Sequence, residues 1–161
     1  MPCALFYQEK QAKSEIYLIA ASWVDGYLSS TNQHAPNTYD TLSFETSELL
    51  MSVLEKHCKN NPKDSVFGVI NNLFKKIQKD KLLFKSKKVE IIVGDRKTIL
   101  YEEVIKRMQL ILSKNGYYTG DMNGAYKPSL QEAIKKYQLS INFKQTGFPD
   151  QSTLWHLFRS N

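Results

Sequence analysis

Between Asn115 and Gln138 the chain reads NGYYTGDMNGAYKPSLQEAIKKYQ. Apolar residues at helical spacing precede this stretch, from Tyr101 and Val104 to Met108, Ile111 and Leu112, and the spacing resumes at Leu130, Ala133, Ile134 and Tyr137. Between the two stripes, Gly116, Gly120 and Gly124 give the backbone the freedom a tight, shaped loop needs. Asn115-Gly116 predicts a left-handed helix end. Pro128, with Ser129-x-x-Glu132 as a capping box, predicts the start of the next helix. A second turn region, FKQTGFPD, follows, and Asp150 is placed to cap a last helix through Trp155 and Phe158. The C-terminal region therefore reads as three short helices joined by two specified turns.

Upstream the reading is also helical. Residues 3–12 predict a short helix, and residues 15–30 a longer one with Ile16, Ala20, Trp23, Val24 and Tyr27 on its stripe. Gly26 lies inside that helix at a cost of about 1 kcal/mol relative to Ala, which points to close packing against another helix. STNQHAPNTYDT is a polar loop. Residues 45–60 predict a helix with Leu50, Leu54, His57 and Cys58 to one side. In NNPKD, Asn61 reads as a cap, Pro62 as the first helical residue and Asp64 as a helix-dipole partner, ahead of the stripe Val66, Ile70, Leu73 and Ile77. Lysines and the lack of helical period then mark 81–97 as a connector, with VEIIV one extended segment bounded by Gly94-Asp95. The expected architecture is mainly all-α: a helical domain over 1–80, the lysine-rich connector 81–97, and a second small helical domain over 98–161. No internal repeat or low-complexity segment is evident.

The charge is uneven. The net charge is +6. Residues 1–95 hold 12 lysines against 11 acids, whereas residues 96–161 hold 10 Lys and Arg against 5 acids. The C-terminal region thus favours an anionic partner, although a plain basic surface accounts for the same numbers. No motif supports nucleic-acid binding. No apolar run is long enough for a transmembrane helix. Met1-Pro2-Cys3 lacks the basic start and apolar core of a signal peptide, leaving a cytosolic protein or a mature chain whose leader has been removed. Two cysteines are compatible with one disulfide.

Little in the sequence argues for catalysis. His34, His57 and His156 are scattered, and no zinc spacing or cofactor motif occurs, so neither a metal nor a cofactor is expected. His57-Cys58 are helix neighbours that point apart, and Cys58 on an apolar side reads as a disulfide partner or buried thiol rather than a nucleophile. Gly116, Gly120 and Gly124 follow a helix at the wrong spacing for a phosphate loop. Glu102-Glu103 suit a helix first turn.

The region from about 99 to 158 resembles the three-helix peptidoglycan-binding domain carried by many bacterial wall enzymes and envelope proteins. Gly116, Tyr117, Tyr118, Gly120, Gly124, Tyr126, Pro128, Ala133, Tyr137, Gln138, Thr146, Gly147, Asp150, Thr153 and Leu154 match that pattern in order and spacing. Asn123 stands where the family usually has Asp, Lys127 where it has Gly, and Leu130 where it has Thr. The resemblance implies wall binding and no enzymatic activity. Tyr117, Tyr118 and Tyr137 read first as core. Tyr118, Asp121, Asn123, Tyr126 and Lys127 are the exposed candidates for contacts to sugar or stem peptide, because an aromatic face, an amide and a cation suit N-acetyl groups, hydroxyls and carboxylates.

SWVDGYLSSTN followed by LLMSVLEKHCKNNPKDSVFGVINNL, with Cys3 upstream, is similar to small helical periplasmic domains of the HdeA-type acid-stress chaperones and the immunity proteins of type VI secretion. That resemblance covers residues 3–77 and implies a Cys3–Cys58 disulfide in an oxidising periplasm. Together the two resemblances imply a non-enzymatic periplasmic protein. Its C-terminal domain would dock on peptidoglycan and its N-terminal domain would hold a protein partner of an envelope assembly such as a secretion machine. The alternatives are an immunity or inhibitor protein against a wall-targeting toxin and an acid-stress holdase.

Overall fold

The computed structural model describes residues 1–159. They form seven α-helices, one 3-10 turn and one β-hairpin, and divide into two compact units, Met1–Phe84 and a second beginning at Lys85.

The first unit contains α1 (Cys3–Gln11), α2 (Glu15–His34), α3 (Ser47–Asn60) and α4 (Val66–Ile77). Three of these helices start on a hydroxyl cap. Ser14 accepts from the Tyr17 N–H, Thr46 from the Leu49 N–H and Ser65 from the Gly68 N–H, so each satisfies one of the N–H groups that a first turn leaves unpaired. α1 follows Pro2, which has no side chain for that purpose. Its first N–H groups instead donate to the carbonyls of Asp64 and Pro62, at 2.8 and 3.0 Å. The chain start is thereby stitched to the α3–α4 turn.

This use of the turn corrects the expectation for NNPKD. Asn61 ends α3, its N–H donating to the His57 carbonyl, and Pro62 is not the first residue of a helix. Asp64 bonds the His57 ring instead of a helix N-terminus, at 2.8 Å. Ser65 is the cap of α4.

Cys3 and Cys58 are joined in a disulfide, with their Cα atoms 4.6 Å apart. It ties the first turn of α1 to the last turn of α3, beside the Cys3–Asp64 hydrogen bond. Phe6, Val24, Leu28, Leu50, Leu54, Ile70, Phe74 and Ile77 complete this unit's core. After α4, Leu82 exchanges backbone hydrogen bonds with Tyr39 and Asp40 and holds the long α2–α3 loop.

Gly26 does not mark close helix packing. A Cβ built there meets nothing within 4 Å. Gly26→Ala is therefore expected to stabilise the first unit by about 0.8–1 kcal/mol, the helix-propensity difference, read as a rise in thermal midpoint. Destabilisation would show that the position needs glycine for a reason other than space.

The second unit opens with a hairpin. β1 (Lys88–Val93) pairs antiparallel with β2 (Arg96–Tyr101), in the register Val93↔Arg96 to Lys88↔Tyr101. Gly94, at φ +61, begins the two-residue Gly94-Asp95 turn, the position where a II′ hairpin requires glycine. VEIIV is extended and ends at Gly94-Asp95 as expected, but residues 88–97, expected within a connector, belong to paired strands and their turn. Residues 98–101, expected as helix, are strand. Val89, Ile91, Thr98 and Leu100 turn inward, and Ile91 and Leu100 are fully buried. The fold is mainly helical with a small two-stranded sheet.

Behind the hairpin come α5 (Glu102–Lys114), α6 (Pro128–Ser140) and α7 (Gln151–Arg159). Ile105, Met108, Leu112, Leu130, Ile134 and Leu154 form their shared core. Pro128 opens α6 as expected, but the capping box does not form. Lys127 is the N-cap, with no side-chain bond, and Glu132 pairs with Lys135. Asp150 does cap α7, accepting from the Thr153 N–H at 2.8 Å.

Candidate functional site

The two turns are built alike. α5 ends in a 6→1 and 5→2 pair: Tyr117 N–H donates to the Leu112 carbonyl and Gly116 N–H to the Ser113 carbonyl, with Gly116 at φ +77. α6 ends the same way through Phe143 and Asn142, and Asn142 takes the left-handed position at φ +58. Each turn is then gripped by a fully buried glutamine. Gln109 accepts from the Gly124 N–H at 2.9 Å and donates to the Ala125 carbonyl at 3.0 Å. Gln138 accepts from the Gly147 N–H at 2.9 Å and donates to the Phe148 carbonyl at 3.0 Å and the Thr153 hydroxyl at 3.1 Å.

Both gripped residues are glycines with positive φ pressed against a helix. A Cβ on Gly124 would lie 2.9 Å from the Glu102 carbonyl oxygen, and one on Gly147 3.0 Å from that of Gln131. Side chains are excluded at both positions by conformation and by space.

The structure sorts the five candidate residues. Tyr118 is buried, at 4% exposure, and its hydroxyl donates to the Asp121 carbonyl. Gly120 lies against its ring, where a Cβ would come within 2.5 Å of the hydroxyl oxygen. Tyr118 is therefore core, its first reading, and its place among the exposed candidates is corrected: its ring is packed inside the turn. Tyr126 is half-buried, its hydroxyl bonded to the Gly147 carbonyl, so it ties the first turn to the second. Burial pushes its phenol above the usual range. Asp121, Asn123 and Lys127 are exposed on the loop. Tyr117 and Tyr137 meet edge to face at 5.9 Å, and burial raises the Tyr137 phenol. At the start of α5, the Lys106 ammonium bonds the Glu102 carboxylate and holds it below the ordinary range.

The departures from the family pattern have local accounts. The Asn123 side-chain oxygen accepts from the Ala125 N–H at 3.0 Å, a bond an aspartate makes equally well. Lys127 sits at φ −115°, extended backbone that does not require glycine. Leu130 is fully buried and fills core.

Sequence reasoning passed over a concavity in this unit, an open cleft of about 370 Å³ on the α6–α7 side. Arg96 from the hairpin, Phe143 and Lys144 after α6, and Asp150 and Ser152 at the start of α7 line it. The cue lay in basic residues beside a turn, Arg96 next to Gly94-Asp95 and Lys144 in FKQTGFPD. Among the described residues no group of three or more His, Cys, Asp or Glu is placed to hold a metal, and no helix is long and apolar enough to cross a membrane.

Residues 102–157 match the family model described as a putative peptidoglycan binding domain. The matched segment runs from the first turn of α5 into α7 and contains both glutamine-gripped turns. It starts after the hairpin. No curated protein and no solved structure matches the chain. The similarity of residues 3–77 to acid-stress chaperones and immunity proteins gains no support from these comparisons.

Proposed function

We propose that the protein is a non-enzymatic, periplasmic wall-binding protein whose second unit docks on peptidoglycan while the first holds a protein partner in an envelope assembly. The carrying observation is the family match over residues 102–157, which coincides with three helices and two turns closed by their own side chains. Asp121, Asn123 and Lys127 are the loop residues offered to ligand, beside the partly exposed Tyr126. A family of binding modules supports a role in positioning rather than chemistry.

One feature of the first unit supports the periplasmic setting and another the partner-holding role. The Cys3–Cys58 bond fits an oxidising compartment. Ile16, Ile19 and Trp23 along α2 and Phe67 on α4 leave apolar surface in solvent, with Ile19 at 69% and Phe67 at 53% exposure. Exposed apolar surface of this kind marks interaction faces when it is contiguous. Trp23 and Phe67 are in ring contact, with centroids 6.2 Å apart.

Co-sedimentation with purified sacculi tests the wall half of the reading. The chain is expected in the pellet at low salt, with a fraction that persists at moderate salt, because screening removes only the diffuse attraction of the basic surface. Affinity is expected to be weak, since a shallow site buries little ligand. Folded protein that stays in the supernatant at low salt would refute wall binding.

A further inference from the structure

The cleft beside the hairpin has a chemistry different from the loop at 121–127. Arg96 and Lys144 supply two cations, Asp150 one carboxylate, and Phe143 an aromatic wall. The Phe143 ring is held edge-on against His156 at 5.0 Å. Asp150 is divided in its duties. One oxygen caps α7 through the Thr153 N–H, and the other faces Arg96 at 3.8 Å.

That last distance exceeds a hydrogen bond, so the Arg96 guanidinium keeps its donors available. The group is nonetheless positioned, lying 5.8 Å from the centroid of the Phe148 ring. An exposed, loosely made ion pair costs little to exchange for a better one. A ligand carboxylate can take two parallel N–H bonds from the same guanidinium. Asp150, relieved of Arg96, then faces any cationic group on that ligand.

Resting on the wall-binding reading, we propose that this cleft recognises the peptide part of peptidoglycan through a free carboxylate. The carboxylate sits between Arg96 and Lys144, and an amino group of the same peptide lies toward Asp150. The glycan of intact peptidoglycan offers hydroxyls and N-acetyl groups, its lactyl carboxyls being taken up in amide bonds to the stem peptide, and gives the two lining cations no charge to meet. The stem peptide offers carboxylates and amines together. Arg96 precedes the family-matched residues, so the cleft's selectivity comes from the hairpin this chain places in front of them.

The test uses the full chain, a soluble stem peptide whose other carboxyls are amidated so that its C-terminal carboxylate is the one left free, and the C-terminal amide of the same peptide. The acid is expected to bind about tenfold more tightly than the amide, the scale of one charge-assisted hydrogen-bond pair, and to shift the backbone resonances of Phe143 and Lys144. Arg96→Gln and Lys144→Gln should each weaken acid binding about tenfold and leave the amide unchanged. Lys136→Gln, an exposed site on α6 outside the cleft, makes the same change in net charge and should have little effect. Circular dichroism checks that each variant is folded, and Lys144 carries the test if Arg96→Gln disturbs the hairpin. Equal binding of acid and amide, or an equal loss in Lys136→Gln, would overturn the proposal. Retention on sacculi with no binding of either peptide would overturn the cleft and spare wall binding. Loss of both would overturn the two together.

Discussion

Reduction of the Cys3–Cys58 bond is expected to destabilise the first unit by about 4 kcal/mol. The bond spans a sequence separation of 55 residues, and closing a loop of that length removes roughly that much chain entropy from the unfolded state. Small domains hold about 5–15 kcal/mol in all, so this is a large share of the total. The surrounding hydrogen bonds do not replace the link. Cys3 and Ala4 donate to the carbonyls of Asp64 and Pro62, which hold the chain start in the folded state but place no constraint on the unfolded one. Urea unfolding with and without reductant, followed through Trp23 on α2, measures the difference. A Cys3→Ala, Cys58→Ala double variant repeats it without reductant. Thiol titration of unfolded, unreduced protein should find none free. Two free thiols, or unchanged urea midpoints, would remove the bond as a source of stability and with it the support for an oxidising compartment.

The helices were legible because their signals are local. Apolar stripes at helical spacing mark them, Asn115-Gly116 ends one, and Pro128 and Asp150 open others; the hydroxyl caps Ser14, Thr46 and Ser65 were equally local signals but went unread. The errors fall where distant partners decide. NNPKD looks like a helix start, yet its carbonyls are taken by the chain's first residues, and helix begins only at Val66. In RKTILY, Ile99 and Leu100 run into Val104 and extend a helical stripe backwards by accident. Their true partners, Glu90 and Val89, lie across the Gly94-Asp95 turn. β-branched residues on both sides of a two-residue glycine turn carried the hairpin signal, and pairing outweighed the helical period. Gly26 was over-read, because a glycine in a helix implies close packing only where something packs on it.

The candidate site was legible as a loop and less so as a set of exposed side chains. Glycine positions reported backbone shape in part: Gly116 and Gly124 have positive φ, as does Gly147, whereas Gly120 does not and instead leaves room for the Tyr118 ring. Which tyrosines face solvent was not readable, because Tyr118 and Tyr126 place their hydroxyls on backbone carbonyls that only the folded turn presents. Gln109 and Gln138 carried an overlooked signal: polar side chains among the buried positions of α5 and α6. A fully buried amide has to find partners, and here the partners are the turns themselves.

Gln138→Ala is expected to cost the second unit about 3–5 kcal/mol. Four groups lose a partner at once: the Gly147 N–H, the Phe148 carbonyl, and the Thr146 and Thr153 hydroxyls. The Gly147 and Phe148 groups are buried, and an unsatisfied buried donor or acceptor costs about 1–3 kcal/mol. The cavity left by the side chain adds to this. Gln138→Met separates the two contributions, since it keeps most of the volume and offers no amide. A loss in the methionine variant close to that in the alanine variant assigns the effect to hydrogen bonding. Trp155 on α7 reports unfolding of this unit. The same variants bear on binding, because Gln138 holds the turn that carries Lys144, Thr146 and Asp150. In conditions where the variants remain folded, affinity for the acid stem peptide should fall further than affinity for sacculi as a whole, because the 121–127 loop is gripped by Gln109 and reaches the Gln138-held turn only through the Tyr126 hydroxyl on the Gly147 carbonyl. A cost below about 1 kcal/mol would mean that the turn keeps its shape without the glutamine. The grip would then be a consequence of the turn and not its cause.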